Sequence, residues 1–194
     1  MHLNIFFFLL SILNFSFEEN KTPPAKDYSS EIEHIKKFSK QHDYNSDIAF
    51  MIDYSLHSGL NRFFVVDLKK GTLIKKGLVC HGSCKGQNKS AIPSIFSNTS
   101  ESYCSTLGMA VIAERAYSSW GKNYKYWLDG LEKSNTNMRK RVVVLHAWDG
   151  VKDKEIYPKP LAVSWGCPTV SIKFLDDLDV ILKKHDKVLL YSFE

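Results

Sequence analysis

The chain is poor in cysteine and proline, with four and six residues among 194. Four cysteines do not make a disulfide scaffold, and a chain of this length buries a sizeable core without one. No internal repeat recurs, which argues against a solenoid or propeller. After the first 17 residues no apolar run is long enough to span a bilayer, so the remainder reads as having no stable membrane span. Basic residues are not gathered into a stripe. Lys and Arg total 26 against 21 Asp and Glu, a formal charge of +5, and the densest basic stretch is Asn137 to Arg141, "NMRKR". This argues against nucleic-acid binding, although a modest positive excess suits attraction to an anionic polymer. Metal-ligand spacing is also missing. Cys80 to Cys84, "CHGSC", lacks a second matched pair of the C-x-x-C or H-x-x-x-H kind.

What is present begins with an apolar run from Leu3 to Leu13, with polarity returning at Glu18. It is too short to span a membrane and suits the apolar region of a secretory signal peptide over residues 1–17. No Lys or Arg precedes it, and no cysteine follows to carry a lipid. The expectation is export to the periplasm or cell envelope. Residues 18–30, with Pro23-Pro24, read as a linker, and 31–194 as one domain.

Within that domain Ile32, Ile35 and Phe38 predict an amphipathic helix over 30–41. Residues 48–52 and "RFFVVDL" at 62–68 predict strands. "KKGT" at 69–72 predicts a hairpin turn returning through 73–80. Residues 81–105 are rich in Gly, Ser and Asn and form a long loop of the kind that often carries function. The run 109–117 fits helix and strand equally. Residues 124–128, 142–145 and 187–193 predict strands, the second ending at His146. Residues 172–184 carry apolar positions at helical spacing. The balance is α+β and β-rich, with two or three helices.

Cys80, Cys84 and Cys104 cluster around the long loop, and Cys167 stands apart. In an oxidising compartment a disulfide among the first three is expected, leaving one of them free. Cys167 admits four readings: a buried small hydrophobe, half a disulfide, a metal ligand or a nucleophile. The last needs a base, because the thiolate is the reactive form. His146, at the end of a buried strand, fits that role. Gly166 permits a tight turn, which would aim the backbone N–H groups of Gly166 and Cys167 at a developing oxyanion. Pro168 stiffens the exit.

His146, a 17-residue spacer and then Ser164-Trp165-Gly166-Cys167-Pro168 resemble the signature of the murein L,D-transpeptidase catalytic-domain-like family, a YkuD-like branch with "SWGCP" around its nucleophile and an Arg, here Arg141, upstream of the His. Further blocks look alike in the same order over roughly 45–193: "SLHSGLNRFFVVDL", "GLVCHGS", "FSNTSESYCSTLG", "LDGLE" and "KVLLYSF". Trp165 replaces the second histidine of the wider family, as that branch expects. Thr169 departs from the Asn or Arg found there, and Arg139 or Arg141 is a candidate for the missing charge.

The resemblance implies a β-rich α+β sandwich with a few flanking helices, over 31–194. It implies a cysteine acyltransferase acting on peptidoglycan stem peptides, with no metal or cofactor. Cys167 would be the nucleophile and His146 the base, oriented by a backbone carbonyl or hydroxyl. Ser164, Trp165, His81 and Arg141 would bind substrate or shape the site. His81 would line the cleft or cap the loop. Arg141 would grip stem-peptide carboxylates or form a surface ion pair. Ser97, Asn98 and Ser105 read as turn chemistry. Trp120, Tyr124, Tyr126 and Trp127 read as core or rim. Hydrolysis at the same Cys–His site and a non-catalytic wall-binding module are the competing functions, and the oligomeric state is left open.

Overall fold

The structure is a computed structural model that describes residues 26–194. The segment expected to be a signal peptide, 1–17, and most of the expected linker, up to residue 25, lie outside the described residues. Helix α1 (Ser29–His42) buries Ile32, Ile35 and Ser39 on one face, and Tyr28 continues that stripe one turn earlier. Residues 26–28 belong to the fold: Lys26 Nζ and the Tyr28 hydroxyl both reach the buried Asp53 carboxylate, at 2.9 and 3.0 Å.

Eight strands form one sheet: β1 (Ile48–Asp53), β2 (Phe63–Asp67), β3 (Thr72–Gly77), β4 (Gly108–Tyr117), β5 (Tyr124–Gly130), β6 (Val144–Ala147), β7 (Thr169–Val170) and β8 (Leu189–Phe193). Their order is β3-β2-β1-β8-β4-β5-β6-β7. Two antiparallel meanders, β1 to β3 and β4 to β6, are joined by the last strand. β8 runs parallel to β1 and antiparallel to β4. The free ends curl toward each other: Cys80, just past β3, donates its N–H to the Thr169 carbonyl in β7 at 2.9 Å. Further along, Gly82 bridges Ser164 in parallel. The result is a nearly barrel-like α+β fold in which the one curled sheet supplies both facing layers.

Strand alternation explains two cores. Phe50, Ile52, Phe63 and Val65 point inward, where Leu128, Leu145, Val170 and helix α2 (Ile172–Leu182) complete the interior. Ala49, Met51, Phe64 and Val66 point outward and are covered by α1. β1 and β2 therefore read as continuous apolar runs because both faces are buried. α2 starts at a serine cap: Ser171 Oγ accepts from the Phe174 N–H at 3.1 Å. The ambiguous run 109–117 is strand β4, where pairing with β8 and β5 on its two sides decides what propensity left open.

The strand predicted from residue 142 starts two residues later. Val142 has φ of 58°, a conformation that costs a β-branched residue energy. The chain turns there before β6 carries His146 to the edge of the interior.

Candidate active site

Two turns and one strand build the site. The first turn is Ser164–Cys167. Ser164 Oγ accepts from the Gly166 N–H at 3.2 Å and donates to the Cys167 carbonyl at 2.7 Å, closing the turn on itself. Gly166 has φ of +105°, and a Cβ there would stand 2.7 Å from the Cys104 carbonyl oxygen. No other residue fits both the backbone and the space. The second turn, Gly82–Cys84, lies alongside: Ser164 N–H donates to His81 O at 2.7 Å and Ser83 N–H donates to Ser164 O at 2.9 Å. A Cβ on Gly82 would collide with the Tyr103 carbonyl.

A Cys84–Cys104 disulfide fastens this second turn to the end of the long loop. Cys80 and Cys167 are the free cysteines, so the expected pairing within the cluster is present, with Cys80 left over. Arg141 holds the same loop from the other side. Its guanidinium donates to Ser97 O at 2.7 Å, Ser102 Oγ at 3.1 Å and Cys104 O at 2.6 Å. Among the described residues it forms no ion pair; it braces the loop that abuts Gly166 and also borders the cleft. Arg139 points elsewhere, into a pair of carboxylates from Glu114 and Asp129.

Cys167, His146, Thr169, Ser164, Trp165 and Arg141 all border one cleft of about 870 Å³. The Cys167 sulfur accepts from the Val144 N–H at 3.5 Å and lies 3.7 Å from the Val142 carbonyl. The strained Val142 thus carries the carbonyl to which the thiol donates. Burial pushes the Cys167 thiol up, against the Val144 N–H and the Arg141 charge. Burial likewise pushes the buried His146 down, helped by Lys125, although the Ala147 carbonyl opposes it. Both shifts favour a resting state of neutral thiol and neutral imidazole.

His146 Nδ1 lies 3.1 Å from the Ala147 carbonyl and Nε2 lies 3.0 Å from Thr169 Oγ1. A carbonyl only accepts, so Nδ1 carries the ring hydrogen. The orienting group sought in the sequence is therefore a backbone carbonyl, with a hydroxyl on the second nitrogen. Among the described residues no hydrogen bond joins the Cys167 thiol to the His146 ring.

His81 does not border the cleft. It is buried, with Nδ1 accepting from Arg62 Nη2 at 2.8 Å and Nε2 without a hydrogen-bond partner among the described residues. Burial and the adjacent guanidinium lower its pKa to about 3. Arg62, which the sequence reading treated only as the start of a strand, is fully buried and donates twice to Val79 O, at 3.1 and 2.9 Å, and once to Leu56 O at 3.0 Å.

Around the cleft mouth stand exposed aromatics. Tyr103 and Trp165 lie with ring centres 5.9 Å apart, and Trp120 lies 5.8 Å from His146. Trp165 is 75% exposed. Trp120 is therefore a rim residue, whereas Tyr124 and Tyr126 fill the core and Trp127 lies beneath the Arg139 and Lys125 side chains. Ser97 makes the expected local bond, accepting from the Thr99 N–H. Asn98 reaches further, to Lys133 O and Thr136 Oγ1, and Ser105 Oγ accepts from the Gly82 N–H.

No curated protein sequence matches the chain. Solved structures do, at low identity. An L,D-transpeptidase from Mycobacterium smegmatis shares 11% identity over 76% of this chain and 59% of that one, with a TM-score of 0.46. The helical cell shape determining protein Pgp2 of Campylobacter jejuni shares 12% over 86% and 54%, at 0.45. Bd1075 of Bdellovibrio bacteriovorus shares 14% over 78% and 49%, at 0.44. The chain thus spans between about half and three-fifths of the length of these structures. A family model described as the L,D-transpeptidase catalytic domain matches residues 19–192. With that match over most of its length, the chain belongs to the L,D-transpeptidase catalytic-domain family.

Proposed function

We propose that this protein is an exported cysteine acyltransferase that works on peptidoglycan stem peptides in the cell envelope, with Cys167 as nucleophile and His146 as base. One observation carries the assignment. The cleft holds a thiol on a glycine turn beside an imidazole whose Nδ1 is tied to the Ala147 carbonyl, leaving Nε2 as its only proton acceptor.

Cys167 Sγ attacks the carbonyl between the L-centre of diaminopimelate and the following D-Ala. His146 Nε2 takes the thiol proton and returns it to the leaving amine as the C–N bond breaks. The Cys167 N–H, which has no partner among the described residues, is available to donate to the oxyanion. The Gly166 N–H contributes once it leaves Ser164 Oγ. A thioester remains, and the amine of a second stem resolves it to a 3→3 crosslink. Arg141 acts by holding the loop beside the turn, and the Tyr103–Trp165 pair forms an apolar wall for the bound stem. His81 supports the turn from below, through its carbonyl bond to Ser164.

The test is product analysis with disaccharide-tetrapeptide. Wild-type protein should yield 3→3 dimers and release D-Ala, and Cys167→Ala should yield neither. Tripeptide without dimer would assign hydrolysis in place of transfer. No turnover by wild-type protein would favour a non-catalytic wall-binding module.

A further inference from the structure

The Thr169 hydroxyl lies 3.0 Å from His146 Nε2 and 3.3 Å from the backbone carbonyl of Cys167. Its placement is fixed from both sides. β7 pairs with β6 in the register His146 to Thr169, and the Thr169 carbonyl accepts from the Cys80 N–H. Nδ1 of the ring is committed to the Ala147 carbonyl, so Nε2 of the neutral ring is a bare acceptor and the hydroxyl donates to it. When Nε2 takes a proton, both ring nitrogens become donors. A buried imidazolium facing a methyl at this point would be left with an unmade, charge-assisted bond. A hydroxyl avoids that, because it can accept from Nε2–H while turning its own hydrogen to the Cys167 carbonyl.

We propose that Thr169 is the positioning residue of the base, with a hydrogen bond to Nε2 that reverses direction in each catalytic cycle. The proton leaves Cys167 Sγ and ends on Nε2, while Thr169 keeps its own hydrogen and changes only the acceptor. The inference rests on the reading of His146 as the base. Lys125 faces His146 from β5, and Lys140, Arg141 and Glu101 border the cleft. Three of these four are cationic and disfavour a charged ring, so an acceptor on Nε2 is what offsets them.

The test is an NMR titration of the His146 ring nitrogens in the full chain, beside pH profiles of kcat/KM. In Thr169→Val the ring should titrate about one unit lower, the loss of a charge-assisted bond. The acid limb of the profile should move with it, and kcat/KM should fall roughly 100-fold. Thr169→Ser should restore all three. An unchanged titration in Thr169→Val, or a Thr169→Ser variant as impaired as Thr169→Val, would overturn the proposal. If Thr169→Val does not fold, Thr169→Ala against Thr169→Ser makes the same comparison. Full activity in Cys167→Ala would defeat the reading of the site itself, yet the titration run in that variant still reports on Thr169.

Discussion

His81 and His146 are both buried and both follow an apolar run, yet their surroundings are opposite and the proposed function gives them opposite roles. His81 Nδ1 faces a guanidinium, which together with burial, the larger cause, lowers its pKa to about 3. His146 Nδ1 faces a carbonyl, which favours the charged ring and leaves Nε2 toward a hydroxyl and an open cleft. Burial is common to both; what separates a structural histidine from a base is the sign of the group on the first nitrogen and access to the second.

Exchanging the roles should fail. Cys167→Ala or His146→Ala should lower kcat/KM by on the order of 10⁴-fold, whereas His81→Asn, whose amide oxygen can accept from Arg62, should stay within about tenfold of wild type, as steady-state assays would report. Removing the cation that defines His81 should be costly to the fold: Arg62→Met leaves Val79 O, Leu56 O and His81 Nδ1 buried without donors, for a loss of about 3 kcal/mol in denaturant melts. The site's side of the comparison depends on the Cys84–Cys104 bond. Cys84→Ala/Cys104→Ala, or reduction, should cost about 2–3 kcal/mol for a closed loop of separation 20. It should also depress activity by freeing the Cys104 carbonyl from Arg141 and Gly166.

A further effect follows from pH. His81 has a folded pKa far below its usual value of 6.5, so the unfolded chain takes up the proton first. Its contribution is complete above about pH 6.5 and is lost toward pH 3, at about 1.4 kcal/mol per pH unit. His146, lowered in the same direction, adds to this slope. His81→Asn should therefore flatten the decline of stability between pH 6 and 4. The smallest change expected is a gain: Val142→Gly relieves the left-handed backbone and should add about 1 kcal/mol, measured as a higher Tm.

The sequence carried the framework and half of the site. α1, α2, β1 and β2 were legible because their apolar positions are the buried ones, and β3, exposed at all but its last residue, was legible through the turn that precedes it. β4 was not, because "GMAVIAERAY" suits both periods until its neighbours pair with it. Cys167 and His146 were legible as side chains suited to the proposed chemistry, and Gly166 as the residue of a tight turn. Ala147 was not, because its carbonyl has no signature in the sequence, and Thr169 looked like a defect in a motif although its hydroxyl lies 3.0 Å from His146 Nε2. Arg62 was missed because nothing in one sequence distinguishes an arginine buried against carbonyls from one on the surface.

The central claim is that the Cys167 thiol takes up an acyl group in this cleft. Intact-protein mass spectrometry after brief exposure to a tetrapeptide stem, followed by peptide mapping, tests it most directly. The account predicts a mass increase equal to the acyl tripeptide, mapped to the peptide containing Cys167 and absent from Cys167→Ala. Stem peptide converted with no adduct on that peptide, or an equal adduct in Cys167→Ala, would contradict it.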